Sequence, residues 1–134
     1  MKKKFELLAK SEVLSPFRKE LRVFLDQAGW GKKETGEILL AVDETLTNII
    51  RHAYGGQPGR MVVEVDDRGD EIEFVFEDQG RRFDPTQVPL PELPREKPGG
   101  LGVHFVRTIM DRVIYDGNYP EGNRLHLIKK KAKT

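Results

Sequence analysis

Glu44 and Asn48 stand four positions apart in the stretch Ala41-Val42-Asp43-Glu44-Thr45-Leu46-Thr47-Asn48-Ile49-Ile50-Arg51-His52-Ala53-Tyr54. At helical pitch Ile38, Val42, Leu46, Ile49 and Ala53 form one apolar stripe, with Glu44, Asn48 and Arg51 on roughly the opposite face. A carboxylate one turn from a carboxamide can do two things. Glu44 can accept a proton, and the Asn48 side-chain oxygen can bind a hard cation such as Mg²⁺. A solvated polar face is the plainer alternative, and this helix alone does not decide. Asp78 and Gly80 follow the alternating apolar run Ile72, Phe74, Phe76. A carboxylate at a strand end can accept a hydrogen bond inside a pocket, and the glycine lets a flat ring approach the backbone; ordinary turn chemistry is the alternative. Gly99, Gly100 and Gly102 sit where an irregular stretch meets a helix, and free amides at a helix start bind phosphate.

Several familiar motifs are absent. Phe105 stands where the dinucleotide fingerprint needs its third glycine, and no Gly-Lys-Ser/Thr follows for a Walker loop. His52, His104 and His126 are scattered with no partner at metal-ligand spacing, so His52 reads as supporting or packing rather than binding zinc. No Gly-x-Ser-x-Gly elbow supports a nucleophilic hydrolase.

The elements that must position these residues can be read in order. Lys4–Ala9 reads as a first strand. Ser15-Pro16 reads as an N-cap and first helical position, opening a helix with Phe17, Leu21, Phe24, Leu25 and Ala28 on one face. The central helix is expected from about Lys33 to Tyr54, ended by Gly55-Gly56-Gln57-Pro58-Gly59. Met61, Val63 and Val65, then Ile72, Phe74 and Phe76, predict an antiparallel hairpin around Asp67-Arg68-Gly69-Asp70. Pro85, Pro89, Pro91, Pro94 and Pro98 exclude a regular helix, and a loop this long in a small domain reads as a lid. Leu101–Met110 predicts a last helix bearing Phe105, Val106, Ile109 and Met110, before a closing hairpin of 112–115 and 124–129. The order β-α-α-β-β-lid-α-β-β implies an α+β, two-layer sandwich with helices on one face of a mainly antiparallel sheet.

Composition narrows the classes. The 134 residues carry 23 Lys plus Arg against 22 Asp plus Glu, so bulk charge does not point to nucleic acid. The length fits one domain, 1–134. Lys129-Lys130-Lys131 is a like-charge run and reads as a solvated end. No cysteine is present, which excludes disulfides and thiolate metal sites and fits a reducing cytosol. No run approaches the ~18 apolar residues of a membrane span, and Glu6, Lys10 and Glu12 interrupt any signal-peptide core. A cytoplasmic protein with no membrane contact is the expectation.

Taken in order, these stretches resemble the GHKL (Bergerat-fold) ATP-binding superfamily, and within it the small anti-sigma-factor serine/threonine kinases. The resemblance is carried by Glu44-x-x-x-Asn48 with Ile50-Arg51-His52-Ala53-Tyr54, and by Asp78-Gln79-Gly80-Arg81-Arg82-Phe83-Asp84-Pro85. Gly99-Gly100-Leu101-Gly102-Val103-His104-Phe105-Val106-Arg107 and Gly122-Asn123-Arg124 complete it. It implies that Glu44 is the base taking a proton from a substrate hydroxyl, and that Asn48 binds the Mg²⁺ bridging the ATP phosphates. It implies that Asp78 receives the adenine amino group and Gly80 makes room for the ring. It further implies that Gly99, Gly100, Leu101, Gly102 and Val103 hold phosphates, that His52 supports the cofactor site, and that 84–98 is the ATP lid. Phosphoryl transfer needs mainly positioning and charge neutralisation, which such a set can supply. Two positions depart from the pattern: Arg82 replaces a glycine of the wider superfamily, and Asn123 stands where relatives often place a threonine near the adenine.

The implied function is an ATP-dependent protein serine/threonine kinase that holds a sigma factor and phosphorylates a serine of an anti-anti-sigma (STAS) protein, commonly as a homodimer. A non-catalytic module, in which ATP only orders the lid and a partner surface, is the alternative. The detached ATPase part of a sensor histidine kinase is weakened because the first strand starts almost at Met1, leaving no phospho-accepting helical hairpin upstream. A gyrase-like or chaperone ATPase is disfavoured, since no transducer domain is present to use the hydrolysis.

Overall fold

A computed structural model describes residues 1–87 and 101–132. Strand β1 (Lys2–Leu8) leads through a short 3-10 turn into α1 (Leu14–Gln27) and α2 (Lys32–Asn48), which continues as a single π-helical turn, Ile49–Ala53. Strands β2 (Arg60–Asp67) and β3 (Glu71–Asp78) follow, then a 3-10 turn at Pro85–Gln87, α3 (Leu101–Ile109), β4 (Arg112–Tyr115) and β5 (Asn123–Lys130). The sheet order is β1-β2-β3-β5-β4, and every described pairing is antiparallel.

Alternation decides which face is covered. Met61, Val63 and Val65 of β2, Ile72, Phe74 and Phe76 of β3, and Leu125 and Leu127 of β5 are buried. They form one core with Phe17, Leu21, Phe24 and Leu25 of α1, Ile38, Val42 and Leu46 of α2, and Val106 and Met110 at α3. The intervening residues, such as Glu64, Glu73 and Glu77, face the other side and stay at least partly exposed. This is the expected α+β sandwich with helices on one face. Each fully buried large side chain contributes about 1.5–3 kcal/mol, and a one-residue slip would turn a whole row to solvent, so the register is strongly specified. The hairpin turn is fixed from outside as well: buried Asp67 accepts from Trp30 Nε1 at 2.7 Å and from the Gly69 amide at 2.9 Å.

Four local expectations change. Ser15 is not an N-cap, because the helical run begins at the 3-10 turn Ser11–Val13, after extended Lys10. Pro16 is still tolerated, since it falls in the first turn of α1, where amides lack intrahelical partners. The central helix does not run as regular α to Tyr54. Its last turn widens, with the Tyr54 amide reaching back to the Ile49 carbonyl at 3.0 Å. Phe105 is 42 % exposed rather than core, and Val103 is buried in its place. The terminal lysines are not all solvated: Lys129 Nζ donates to the Ile109 carbonyl at 3.1 Å and Lys131 Nζ to the Ala28 carbonyl at 2.8 Å. Each thus closes a helix C-terminus, where the macrodipole favours a cation. No helix among the described residues is long and apolar enough to cross a membrane.

Candidate functional site

The last turns of α2, the end of β3, α3 and the β4–β5 hairpin surround a narrow, largely apolar pocket. Phe76, Val103, Val106, Val113 and Leu125 supply its apolar wall, and Asn48, Asp78, Arg107 and Asn123 are among its polar lining. An apolar slot with few convergent polar groups is the ordinary form of a small-molecule site.

Asp78 is the buried polar end of the pocket, 3 % exposed. Its Oδ1 accepts from Asn123 Nδ2 at 2.8 Å and from the Gly80 amide at 2.9 Å. No hydrogen bond from the described residues reaches Oδ2. Burial pushes the carboxyl above its ordinary range, and the Asn123 and Gly80 donors act against that shift. Gly80 is required here by the protein itself: a Cβ would come within 2.5 Å of the Ala53 carbonyl oxygen. That carbonyl, at the end of the π turn, accepts the Arg81 amide at 2.7 Å. Gly122 is likewise pressed against the Asp78 backbone, leaving no room for a side chain.

Asn48, the last residue of α2, is half-buried in the pocket wall, and among the described residues nothing hydrogen-bonds its side chain. Its oxygen donor suits a hard cation completed by phosphates and water. No cluster of three or more His, Cys, Asp or Glu among the described residues offers a complete metal cage. One turn back along α2, the half-buried Glu44 carboxylate lies against Gly102 in the first turn of α3, where a Cβ on the glycine would collide with Oε2. The glycine makes space for the carboxylate, and the helix start favours its charge. His52 is outside the pocket wall. It is exposed and stacks behind the pocket-lining Phe83, ring centroids 4.6 Å apart. Partial desolvation of the ring, then the neighbouring Arg51 and Arg81, lower its pKa, so the ring favours the neutral form. Val103 is in the wall and Leu101 begins α3. Gly99, Gly100 and most of the 84–98 segment lie outside the described residues; at its start Asp84 Oδ1 accepts the Thr86 amide at 2.8 Å, and Arg107 donates to the Pro85 carbonyl at 2.5 Å.

Comparison with known proteins decides the family. The model of the histidine kinase-like ATPase domain matches residues 7–129. The chain belongs to this family. Among curated relatives, an anti-sigma F factor of Clostridium kluyveri is 30% identical over 94% of this chain and 92% of its own length. Serine-protein kinase RsbW of Listeria innocua is 30% identical over 83% of this chain and 78% of its own. The RsbW of Halalkalibacterium halodurans is 32% identical over 78% and 69%.

In this histidine kinase-like ATPase domain, α2 and β3 bring Asn48 and Asp78 to one pocket, and α2 brings Glu44 to the α3 start. Sequence reasoning did not find Thr45, Phe83, Arg107 or Tyr115 in the wall. Asn123 was visible only as a departure from a pattern. A signal existed: pairing Phe74 with Leu127 and Phe76 with Leu125 places Asp78 directly opposite Asn123.

Proposed function

We propose that this ATPase domain is an ATP-dependent protein serine/threonine kinase of the anti-sigma type, binding a sigma factor and phosphorylating a serine of an STAS-type antagonist. What supports this reading is that Asp78 and Asn48 line one pocket, with Glu44 one helical turn from Asn48. Buried Asp78 offers Oδ2 to the base, Asn48 offers an oxygen further along the same wall, and Glu44 waits at the α3 start, where phosphates would arrive. In this reading Asp78 accepts from the adenine amino group while Phe76, Val103 and Leu125 exclude water from the ring. Asn48 would hold Mg²⁺, which supplies charge neutralisation for the phosphates. Glu44 takes the proton of the attacking serine hydroxyl. The 84–98 segment is proposed as the lid, hinged where Arg107 grips Pro85. The names of the anti-sigma F and RsbW relatives point to the same role, and a cytoplasmic homodimer is the proposed working form.

Incubation with labelled ATP, Mg²⁺ and a candidate STAS protein tests the proposal. Label on a serine of the partner, dependent on Glu44, is the expected result. Tight ATP binding with no transfer to any partner would leave a nucleotide-regulated binding module instead.

A further inference from the structure

We infer that Asn123 is a positioning residue for base recognition: it locks Asp78 and the Arg81–Phe83 turn so that one carboxylate oxygen is held out to the base. This rests on the reading above, in which Asp78 accepts from the nucleobase.

Asn123 opens β5 directly opposite Asp78 and is 6 % exposed. A carboxamide has two N–H donors and two acceptor sites, and here all four are used. Nδ2 donates to Asp78 Oδ1 at 2.8 Å and to the Arg81 carbonyl at 2.9 Å. Oδ1 accepts the Phe83 amide at 2.8 Å and the Tyr115 hydroxyl at 2.6 Å. The partners also fix which way the amide points. The Phe83 amide can only donate, and the Arg81 carbonyl can only accept, so a flipped amide would face donor with donor and acceptor with acceptor. With its capacity filled, Asn123 has nothing left for a ligand. It acts through Asp78.

The effect on Asp78 is geometric and electrostatic. Oδ1 already accepts from Asn123 and Gly80, which leaves Oδ2 as the oxygen for the base. Those two donors are also what opposes the rise in carboxyl pKa caused by burial. The surrounding elements offer little else. Met61 of β2 is apolar, α2 presents the neutral Thr45 and Asn48, and β4 presents Tyr115. Arg107 of α3 is the charged group lining the same pocket and is bound to Pro85, while His52 lies beyond Phe83. Glu77 and Arg124 pair on the opposite face of the sheet, and Lys4, Arg60 and Glu121 border a second groove that Asp78 also lines. A threonine hydroxyl has only one proton to donate, so it cannot serve Asp78 and Arg81 together.

Calorimetric titration of ATP and GTP between pH 5 and 8 tests the inference on the full chain, with thermal melts confirming folding. Asn123→Asp replaces the two donors by acceptors at constant shape and puts a second carboxyl beside Asp78. At pH 7 it should lose about tenfold or more in ATP affinity. The acid limb of ATP binding should move up by about one pH unit or more, because paired carboxyls resist joint ionisation. Asn123→Thr should lose less and keep a preference for ATP. Tyr115→Phe, which removes one orienting donor, should shift the limb in the same direction by a smaller amount. A folded Asn123→Asp with unchanged affinity and unchanged acid limb overturns the inference. Should that variant not fold, unchanged values in both Asn123→Thr and Tyr115→Phe overturn it equally. Asp78→Asn separates the two levels. If the parent prefers ATP and Asp78→Asn abolishes or reverses the preference while the Asn123 and Tyr115 variants keep the parent's ATP affinity and acid limb, only the role of Asn123 fails. If the parent shows no preference and Asp78→Asn changes nothing, the adenine reading falls with it.

Discussion

Asp78→Asn should do more than weaken ATP binding: it should reverse the choice of base. In the parent, Oδ2 is an acceptor facing the pocket, complementary to the adenine 6-amino group. Guanine carries an oxygen there, so the same pose would set two acceptors against each other in a largely apolar slot. A buried acceptor left unpaired costs about 1–3 kcal/mol, or about 5- to 150-fold in affinity. In the variant, Asn123 Nδ2 and the Gly80 amide both demand an acceptor at the Oδ1 position. They hold the new carboxamide oxygen in place and turn its NH₂ to the pocket, where it opposes the adenine amino group and suits guanine. ATP should weaken by that factor and GTP should gain. The same change should not destabilise the fold. Burial raises the Asp78 pKa, so the folded state favours the protonated form. The stability from that proton is fully present below the ordinary carboxyl pKa and is lost as pH rises through the raised value. At pH 7 ionised Asp78 is therefore a cost that asparagine avoids, and the variant should melt at an equal or higher temperature. Calorimetry with both nucleotides and a thermal melt at pH 7 measure both effects. Equal binding of ATP and GTP to the parent, or an unchanged ratio in the variant, would refute the assignment of Asp78 to the base.

Three further substitutions probe the rest of the molecule. Glu44→Gln should bind Mg-ATP as well as the parent or slightly more tightly, since it removes a negative charge from the α3 start. It should lose about 10²–10⁴ in transfer rate, and wild-type transfer would exclude Glu44 as the base. Asn48→Ala should lose the Mg²⁺ dependence of ATP affinity while melting within about 1 kcal/mol of the parent, because its half-buried side chain makes no described hydrogen bond; an unchanged Mg²⁺ effect in titrations would place the metal elsewhere. Trp30→Phe strips buried Asp67 Oδ2 of its indole donor and should cost about 1–3 kcal/mol in urea unfolding without changing nucleotide affinity.

The fold was legible because its strands alternate cleanly: Met61-Val63-Val65 and Ile72-Phe74-Phe76 each fix which face of their strand is buried. Asp78 stood out as a polar residue at the end of a patterned strand, and Asn48 by its spacing from Glu44 on the face opposite the apolar stripe. The start of α1 was not, because Ser15-Pro16 imitates a cap although the chain is already helical there. The lysine tail was not, because capping of α1 and α3 by Lys131 and Lys129 depends on where β5 ends in space. Asn123 needed cross-strand register. Its importance lies in partners 8 to 45 positions away, which no local pattern contains.

The π turn is the least predictable feature and the one that joins the two halves of the site. Its apolar positions Ile49 and Ala53 are buried just as a regular helix would bury them, so hydrophobic periodicity carries no trace of the extra residue. Its consequence appears in the backbone. The turn ends with the Ala53 carbonyl bonded to the Arg81 amide, so tightly that position 80 admits only glycine. Just beyond it, the Tyr54 hydroxyl donates to the Arg60 carbonyl at 2.6 Å and accepts the Gln79 amide at 2.8 Å. The segment after α2 is therefore bonded to the two residues Gln79 and Arg81 just beyond β3, and to Arg60 at the start of β2. A regular helical turn would present Ala53 and Tyr54 at different angles and break this set of bonds. Wide turns of this kind recur at functional sites, and here the reason is mechanical. The turn fixes the distance between the carboxamide that ends one element and the carboxylate that ends another, before any ligand arrives.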